Sequence, residues 1–316
     1  MKYLKCIKNV VKNAILLKPK DKVLIICDEE KEKIANLFFK VCEEISETCL
    51  VKIKKREETK KEPPLAVKEA MKFSDVILAT TSISLTHTKA VRDARKKGAR
   101  IASMPGISNK MFPALNVDYK KLAKISRKIA RLYEGINKIR IKTKKGTNLI
   151  LACEGREVQI DDGILDKKGS LHNLPAGEVC ITPIENSVNG KIVFDVCVSS
   201  IGKLRNPIEI KVRNGRIIKI IGKDEAKKLI KIFKKADKNA KIVCEFSIGT
   251  NPKAKIIGNV LNDEKVFGTC HIAFGDNISI GGKNESNVHI DGVIKKPTIW
   301  FDDKLIMENG ILRAKI

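Results

Sequence analysis

The sequence predicts a chain in two parts. Residues 1–136 read as an α/β domain with a mostly parallel sheet, and residues 137–316 as an α+β or β-barrel-like metal-binding domain. Three observations predict this. Up to Gly135, continuous apolar runs alternate with amphipathic stretches of helical period, as in parallel strands joined by helical crossovers. From Lys138 the texture changes to short strands separated by Gly- and Asn-containing turns. Residues 263–291 then hold two of the four histidines, with an aspartate two positions past the second.

Taken in order, residues 4–17 form an amphipathic helix, and KVLIICD (22–28) is an apolar run suited to burial on both sheet faces. Helix 30–47 and strand 49–54 follow, then a charged loop closed by Pro63-Pro64. Helix 65–73 leads to strand 75–81, and helix 87–97 stops at Gly98, a helix-terminating position. Strand 99–106 and helix 118–134 complete the first domain. In the second, IRIKT-KKG-TNLILACE and IEIKV-RNG-RIIKIIG read as hairpins, the latter turning at Asn214-Gly215. One helix, 223–235, precedes strand 240–251, and the C-terminal stretch forms short strands turning at Asp302-Asp303 and Asn309-Gly310.

Composition removes several function classes. A hydrophobic share of 43% with 32% charged residues describes a folded chain rather than a disordered one. No apolar run is long enough to span a membrane, and the N-terminus lacks the apolar core of a secretory signal, so a soluble, cytoplasmic protein is expected. Cys27, Cys153, Cys180, Cys197 and Cys244 lie in apolar runs and no C-x-x-C pair occurs, which fits reduced, buried thiols. The net charge of +26 invites a nucleic-acid reading. The excess is mostly lysine spread over many helices, however, and aromatics are only 4%, so stacking platforms are scarce. A Lys/Ile/Glu-rich, Gln-poor chain is also what the surface of a thermophile's protein looks like. Attraction of anionic substrates into a cleft stays compatible with this charge. No glycine-rich nucleotide-binding motif is present.

The chemistry concentrates in the second part. In VHIDGVI an extended backbone turns His289 and Asp291 to one face. His271 lies 18 residues before His289, across a Gly- and Asn-rich connection able to fold back as a hairpin or lid. Two imidazoles and a carboxylate make a minimal shell for a catalytic divalent metal; the alternative is two satisfied histidines and a turn aspartate. Glu178 opens an apolar strand after a Pro-Ala-Gly turn, and Glu245 sits inside VCEFSIG. Such carboxylates need a metal or an ion pair with lysine, because burying an unpaired charge costs several kcal/mol. His172, His87 and Asp276 are accessory candidates; the alternatives are a solvated loop histidine for His172 and, for His87, a helix-start histidine bonded to backbone, beside Thr86 as possible cap.

NLPAGE, CEFSIGTNPKA, DEKVFGTCHIAFG and NVHIDGVI, in this order, resemble the thermophilic metallo-aminopeptidases of the aminopeptidase T type. The resemblance covers most of the chain, including a THT…R…GARI…PG segment in the first part. It implies a homodimer with two divalent cations, Zn, Co or Mn, in a cavity of the C-terminal domain. It matches Glu178 to a first glutamate ligand, Glu245 to a bridging glutamate, and His271, His289 and Asp291 to the remaining ligands. Two departures stand out. The peptidases' tyrosine ligand, seven positions past the first histidine, falls at Ile278, with Asn277 and Asp276 beside it. Their acid/base glutamate has Glu264 as its nearest candidate, seven residues before His271. The chain is also shorter than typical members. The same fold serves 2,5-dihydroxypyridine dioxygenase, a mononuclear non-haem iron enzyme with a His, His, Asp set at matching motifs. That set is the two-histidine, one-carboxylate triad of Fe(II) oxygenases, and loss of the tyrosine adds weight to it.

Three function classes follow. The leading expectation is a metal-dependent aminopeptidase, in which a metal-activated water attacks a peptide carbonyl and Glu264 passes the proton to the leaving amine. The second is an Fe(II) dioxygenase acting on a small hydroxylated aromatic. The third is a binding protein with a relict site.

Overall fold

A computed structural model describes residues 2–57 and 61–315. Residues 58–60 of the expected charged loop lie outside the described residues. By contacts the chain forms two compact units, 1–123 with 161–176, and 124–160 with 177–316. The partition differs from a single cut at 136/137: residues 124–136 fall in the second unit and residues 161–176 in the first.

The first unit carries a five-stranded, wholly parallel sheet in the order Thr48–Ile53, Val23–Asp28, Val76–Thr80, Arg100–Ser103, Leu171–Asn173. Every residue of Val23–Asp28 and of Val76–Thr80 is buried, which is why both runs are apolar without alternation. The edge strand Leu171–Asn173 is the element that sequence periodicity misses. Three residues are too few to show a period, and they come from the half of the chain read as the second domain. The fourth helix begins later than expected, at Lys89, and its cap is Thr88 rather than Thr86: the Thr88 hydroxyl accepts from the Val91 N–H at 3.3 Å.

The second unit is two antiparallel sheets rather than a closed barrel. One has eight strands, in the order Arg216–Ile221, Ile208–Arg213, Asn189–Phe194, Asn148–Ala152, Lys138–Lys142, Thr298–Phe301, Lys304–Glu308, Ile311–Leu312. The other has seven, in the order Gly202–Lys203, Cys197–Val198, His289–Lys295, Thr269–Gly275, Val243–Gly249, Glu178–Ile181, Val158–Asp161. Both expected hairpins form, and Asn214 and Gly215 take φ of 48° and 73°, as a two-residue hairpin turn requires.

The inner faces of these sheets share one apolar core, to which helix Asp224–Lys235 adds Leu229 and Phe233. Phe194 of the larger sheet meets Phe274 of the smaller edge-on, with ring centroids 6.2 Å apart. Gly292 is needed there, because a Cβ would come within 2.3 Å of the Phe194 ring. No helix among the described residues is long and apolar enough to cross a membrane, and all nine cysteines are unpaired by disulfides.

Candidate metal centre

Strand register builds the site. In Thr269–Gly275, Cys270, Ile272 and Phe274 enter the core, so His271 must face the other way. In Val243–Gly249, Phe246 and Ile248 enter the core, leaving Glu245 and Ser247 on the opposite face. The same alternation puts Glu178 and Cys180 opposite Val179 and Ile181, and His289 and Asp291 opposite Ile290 and Ile294. The pairings Glu245↔Ala273↔Asp291 and Gly249↔Glu178 then bring the outward residues of four neighbouring strands together.

The result is a buried cluster of imidazoles and carboxylates. His289 Nε2 is 3.0 Å from Asp291 Oδ1 and 3.2 Å from Glu245 Oε2. His271 Nε2 is 3.3 Å from Glu245 Oε1 and 3.8 Å from Glu178 Oε2. Glu178, Glu245, Glu264 and His271 are each no more than 9% exposed. His289 and Asp291 keep 19% and 16% of their side-chain surface, so solvent reaches the cluster from their end.

Neighbours hold these groups in place. The His289 Nδ1–H donates to the Asp276 carbonyl at 2.7 Å, which directs Nε2 at the carboxylates. Asp276 thus meets His289 through its backbone oxygen, while its carboxylate accepts from the Ser286 N–H. The Ser199 hydroxyl donates to Asp291 Oδ2 at 3.0 Å. Asn277 is structural: its amide donates to the Cys244 carbonyl and its side-chain oxygen accepts from the Asn284 N–H. Ile278 lies on a single turn of 3-10 helix, 52% exposed.

Sequence reading missed Lys265. Its side chain is wholly buried, with Nζ 2.5 Å from Glu178 Oε1 and 2.9 Å from Glu264 Oε1. Glu178 is therefore in the lysine ion pair that was its alternative reading. Nothing local in the sequence marks it, since it is one lysine among many in a chain of +26 net charge.

His87 and His172 belong to the first unit. His87 precedes the capping Thr88, and its carbonyl accepts from Arg92. His172 sits on the edge strand with Nδ1 2.8 Å from Asp161 Oδ1, an ion pair rather than a solvated loop residue.

Proton affinities follow from the crowding. Burial alone would lower His271, but Glu245, Glu178 and Glu264 outweigh it and hold the ring up to about 9. Burial likewise works against charge on His289, and Asp291 leads the neighbours that raise it well above its ordinary value. Burial opposes charge on Glu245, yet the two imidazoles hold it well below the carboxylate range. Burial dominates at Glu264, which is pushed up to about 8.

These donors fit a divalent cation. One donor atom each from Glu245, His271 and Asp291 lie within 4.8 Å of one another. Adjacent ligands on a metal with bonds of roughly 2.1 Å sit about 3 Å apart, close to the 3.0 Å between His289 and Asp291. Glu178, Glu245 and Asp291 also outnumber the one ammonium, a deficit of positive charge which either imidazole protons or a metal ion supplies.

Comparison with known proteins gives the family context. A family model described as "NicX: 2,5-dihydroxypyridine 5,6-dioxygenase" matches residues 3–314. The chain is 23% identical over 264 residues to the 2,5-dihydroxypyridine 5,6-dioxygenase of Pseudomonas putida KT2440, covering 78% of this chain and 73% of that one. The solved structure of 2,5-dihydroxypyridine dioxygenase from the same bacterium superposes with a TM-score of 0.84 at 18% identity, covering 99% and 97% of the two chains. AmpT from Thermus thermophilus superposes with a TM-score of 0.71 at 16% identity, covering 99% of each. The aminopeptidase expectation is overturned, because the family model and the curated relative both carry the dioxygenase name. The likeness to AmpT is one of fold.

Proposed function

The chain belongs to the 2,5-dihydroxypyridine 5,6-dioxygenase family, and from that premise we propose that it is an Fe(II)-dependent dioxygenase that opens the ring of a small hydroxylated aromatic. His271, His289 and Asp291 would hold the ion, a two-histidine, one-carboxylate set with positions left for substrate and dioxygen. The observation that carries this reading is the convergence of those three residues on one sheet face, with His289 Nδ1 anchored on the Asp276 carbonyl.

When bound, the ion supplies the place where dioxygen and a ring hydroxyl meet and exchange electrons. The protein does the rest. Before the ion binds, Glu245 lies across both Nε2 atoms and keeps the two rings in one geometry. Ser199 fixes Asp291 through Oδ2, leaving Oδ1 toward the cluster. Glu264, with its proton affinity near neutrality, takes the proton of a ring hydroxyl and returns it to the product. Substrate enters past His289 and Asp291, the end that keeps solvent access. In balance, one ring carbon–carbon bond breaks and each of its carbons gains one atom of a single dioxygen molecule. No external reductant is consumed.

An oxygen electrode tests this. Protein loaded with Fe(II) without air should consume one dioxygen per 2,5-dihydroxypyridine opened, and metal-free protein none. Iron-loaded protein that leaves dioxygen untouched with a panel of hydroxylated pyridines and benzenes would count against the reading.

A further inference from the structure

Lys265 belongs to no part of the proposed chemistry, yet it is among the most deeply buried side chains of the protein. A lysine loses several kcal/mol of hydration on such burial and stays charged only with close partners. Nζ lies 2.5 Å from Glu178 and 2.9 Å from Glu264. Those same two carboxylates, with His271, form a second group of three donors whose atoms lie within 4.8 Å of one another. His271 is shared with the other such group, Glu245, His271 and Asp291, and is one of the residues proposed to hold iron.

We infer that Lys265 is a built-in cation standing where a second metal ion would bind, so that Glu178 and Glu264 are held as its partners and not as metal ligands. The inference rests on the reading of one divalent ion at His271, His289 and Asp291. Its consequence is chemical. In a chain lacking the ammonium, Glu178 and Glu264 turn to a second hard divalent cation beside the first.

The backbone is shaped to put the ammonium there. Gly249 ends the strand that carries Glu245, and a Cβ at this position would lie 2.2 Å from the Val266 carbonyl oxygen and 2.7 Å from that of Glu264. The segment carrying Lys265 therefore lies directly against the strand, where no larger residue would let it. Asn251 fixes the segment on both sides of Val266, its N–H donating to the Lys265 carbonyl at 2.8 Å and its carbonyl accepting from Phe267 at 3.2 Å. With the chain pinned at that depth, the Lys265 ammonium reaches the carboxylate pair.

Metal-free protein reconstituted with Mn(II), freed of loose ion and analysed for manganese content and by electron paramagnetic resonance, tests the inference. The native chain should hold one Mn(II) with the spectrum of an isolated ion. Lys265→Met, similar in length but uncharged, should hold two and show an exchange-coupled pair, whereas Lys265→Arg should hold one. Lys265→Met holding one ion, with the native spectrum, overturns the inference and leaves the single-metal reading intact. A native chain that binds no Mn(II), or already binds two, overturns the single-metal reading and the inference with it. If Lys265→Met does not fold, Glu178→Gln decides: it should still hold one Mn(II), and loss of that ion would make Glu178 a ligand and overturn the inference.

Discussion

His289 and Asp291 stand two residues apart on one strand, with Nε2 and Oδ1 separated by 3.0 Å. Period-two geometry puts them on one face, and the Asp276 carbonyl and the Ser199 hydroxyl each fix one of the pair from behind. The pair thus has a set direction before any ion arrives.

Removing one member should therefore remove the ion and spare the fold. His289→Ala takes away an imidazole with 19% of its surface exposed, on the face opposite the apolar core. We expect iron content to fall from near one per chain to near zero, with the far-ultraviolet dichroism unchanged. Full iron retention by elemental analysis would move His289 out of the site.

Glu245 separates charge balance from metal ligation. Its carboxylate lies 3.3 Å from His271 Nε2 and 3.2 Å from His289 Nε2, and both imidazoles are held in the charged form in metal-free protein. Glu245→Gln leaves that buried positive charge uncompensated and should destabilise metal-free protein by about 3–5 kcal/mol at neutral pH. Iron-loaded protein should lose much less, because the imidazoles are then neutral. Equal losses in urea unfolding of the two forms would contradict this balance.

Legibility of the chain divides along physical lines. Buried strands such as Val23–Asp28 announce themselves, since both faces demand apolar residues. Residues on the outward face of the seven-stranded sheet stand out too, because Glu245, His271, His289 and Asp291 interrupt apolar strands, where a metal or a buried ion pair explains them. Two things were hidden. Leu171–Asn173 joins the parallel sheet by a pairing that no local pattern encodes. Lys265 looks like one more surface lysine in a chain of +26 net charge, and only the approach of its segment to Gly249 buries it. Ile278, matched by motif register to a tyrosine ligand, shows the opposite error: a register carried across a loop ends on a half-exposed turn.

Stability of metal-free protein should depend on pH in a defined direction. His271 rises from 6.5 to about 9 in the fold. A raised pKa gives stability that is complete below 6.5 and lost as pH climbs to about 9. His289 acts in the same sense, and Glu264, raised from 4.5 to about 8, loses its contribution between those values. Glu245 is depressed, so its contribution is lost as pH falls below 4.5. Metal-free protein should be most stable near pH 4.5–6.5 and weaken toward 9. Binding a divalent ion at pH 7 should release about two protons, one from each imidazole. Calorimetry in buffers of different ionisation enthalpy measures that number, and a value near zero would contradict the charged imidazoles.

Gly249→Ala tests how the Lys265 segment is supported. Its Cβ would meet backbone oxygens at 2.2 and 2.7 Å, which cannot rotate aside. The segment must lift, at about 1–3 kcal/mol of stability, and the Lys265 ion pairs should loosen with it. Thermal unfolding and turnover measured on the same sample check this. An unchanged melting temperature would show that the strand end yields instead.

Isotopic labelling shows whether this site adds dioxygen to a ring. Iron-loaded protein should be given 2,5-dihydroxypyridine under labelled dioxygen in ordinary water, and the ring-opened product analysed by mass spectrometry. Both atoms of one dioxygen molecule should enter the product, and His289→Ala should form none. A product whose new oxygen comes only from water, or ring opening that proceeds without dioxygen, would contradict the dioxygenase reading.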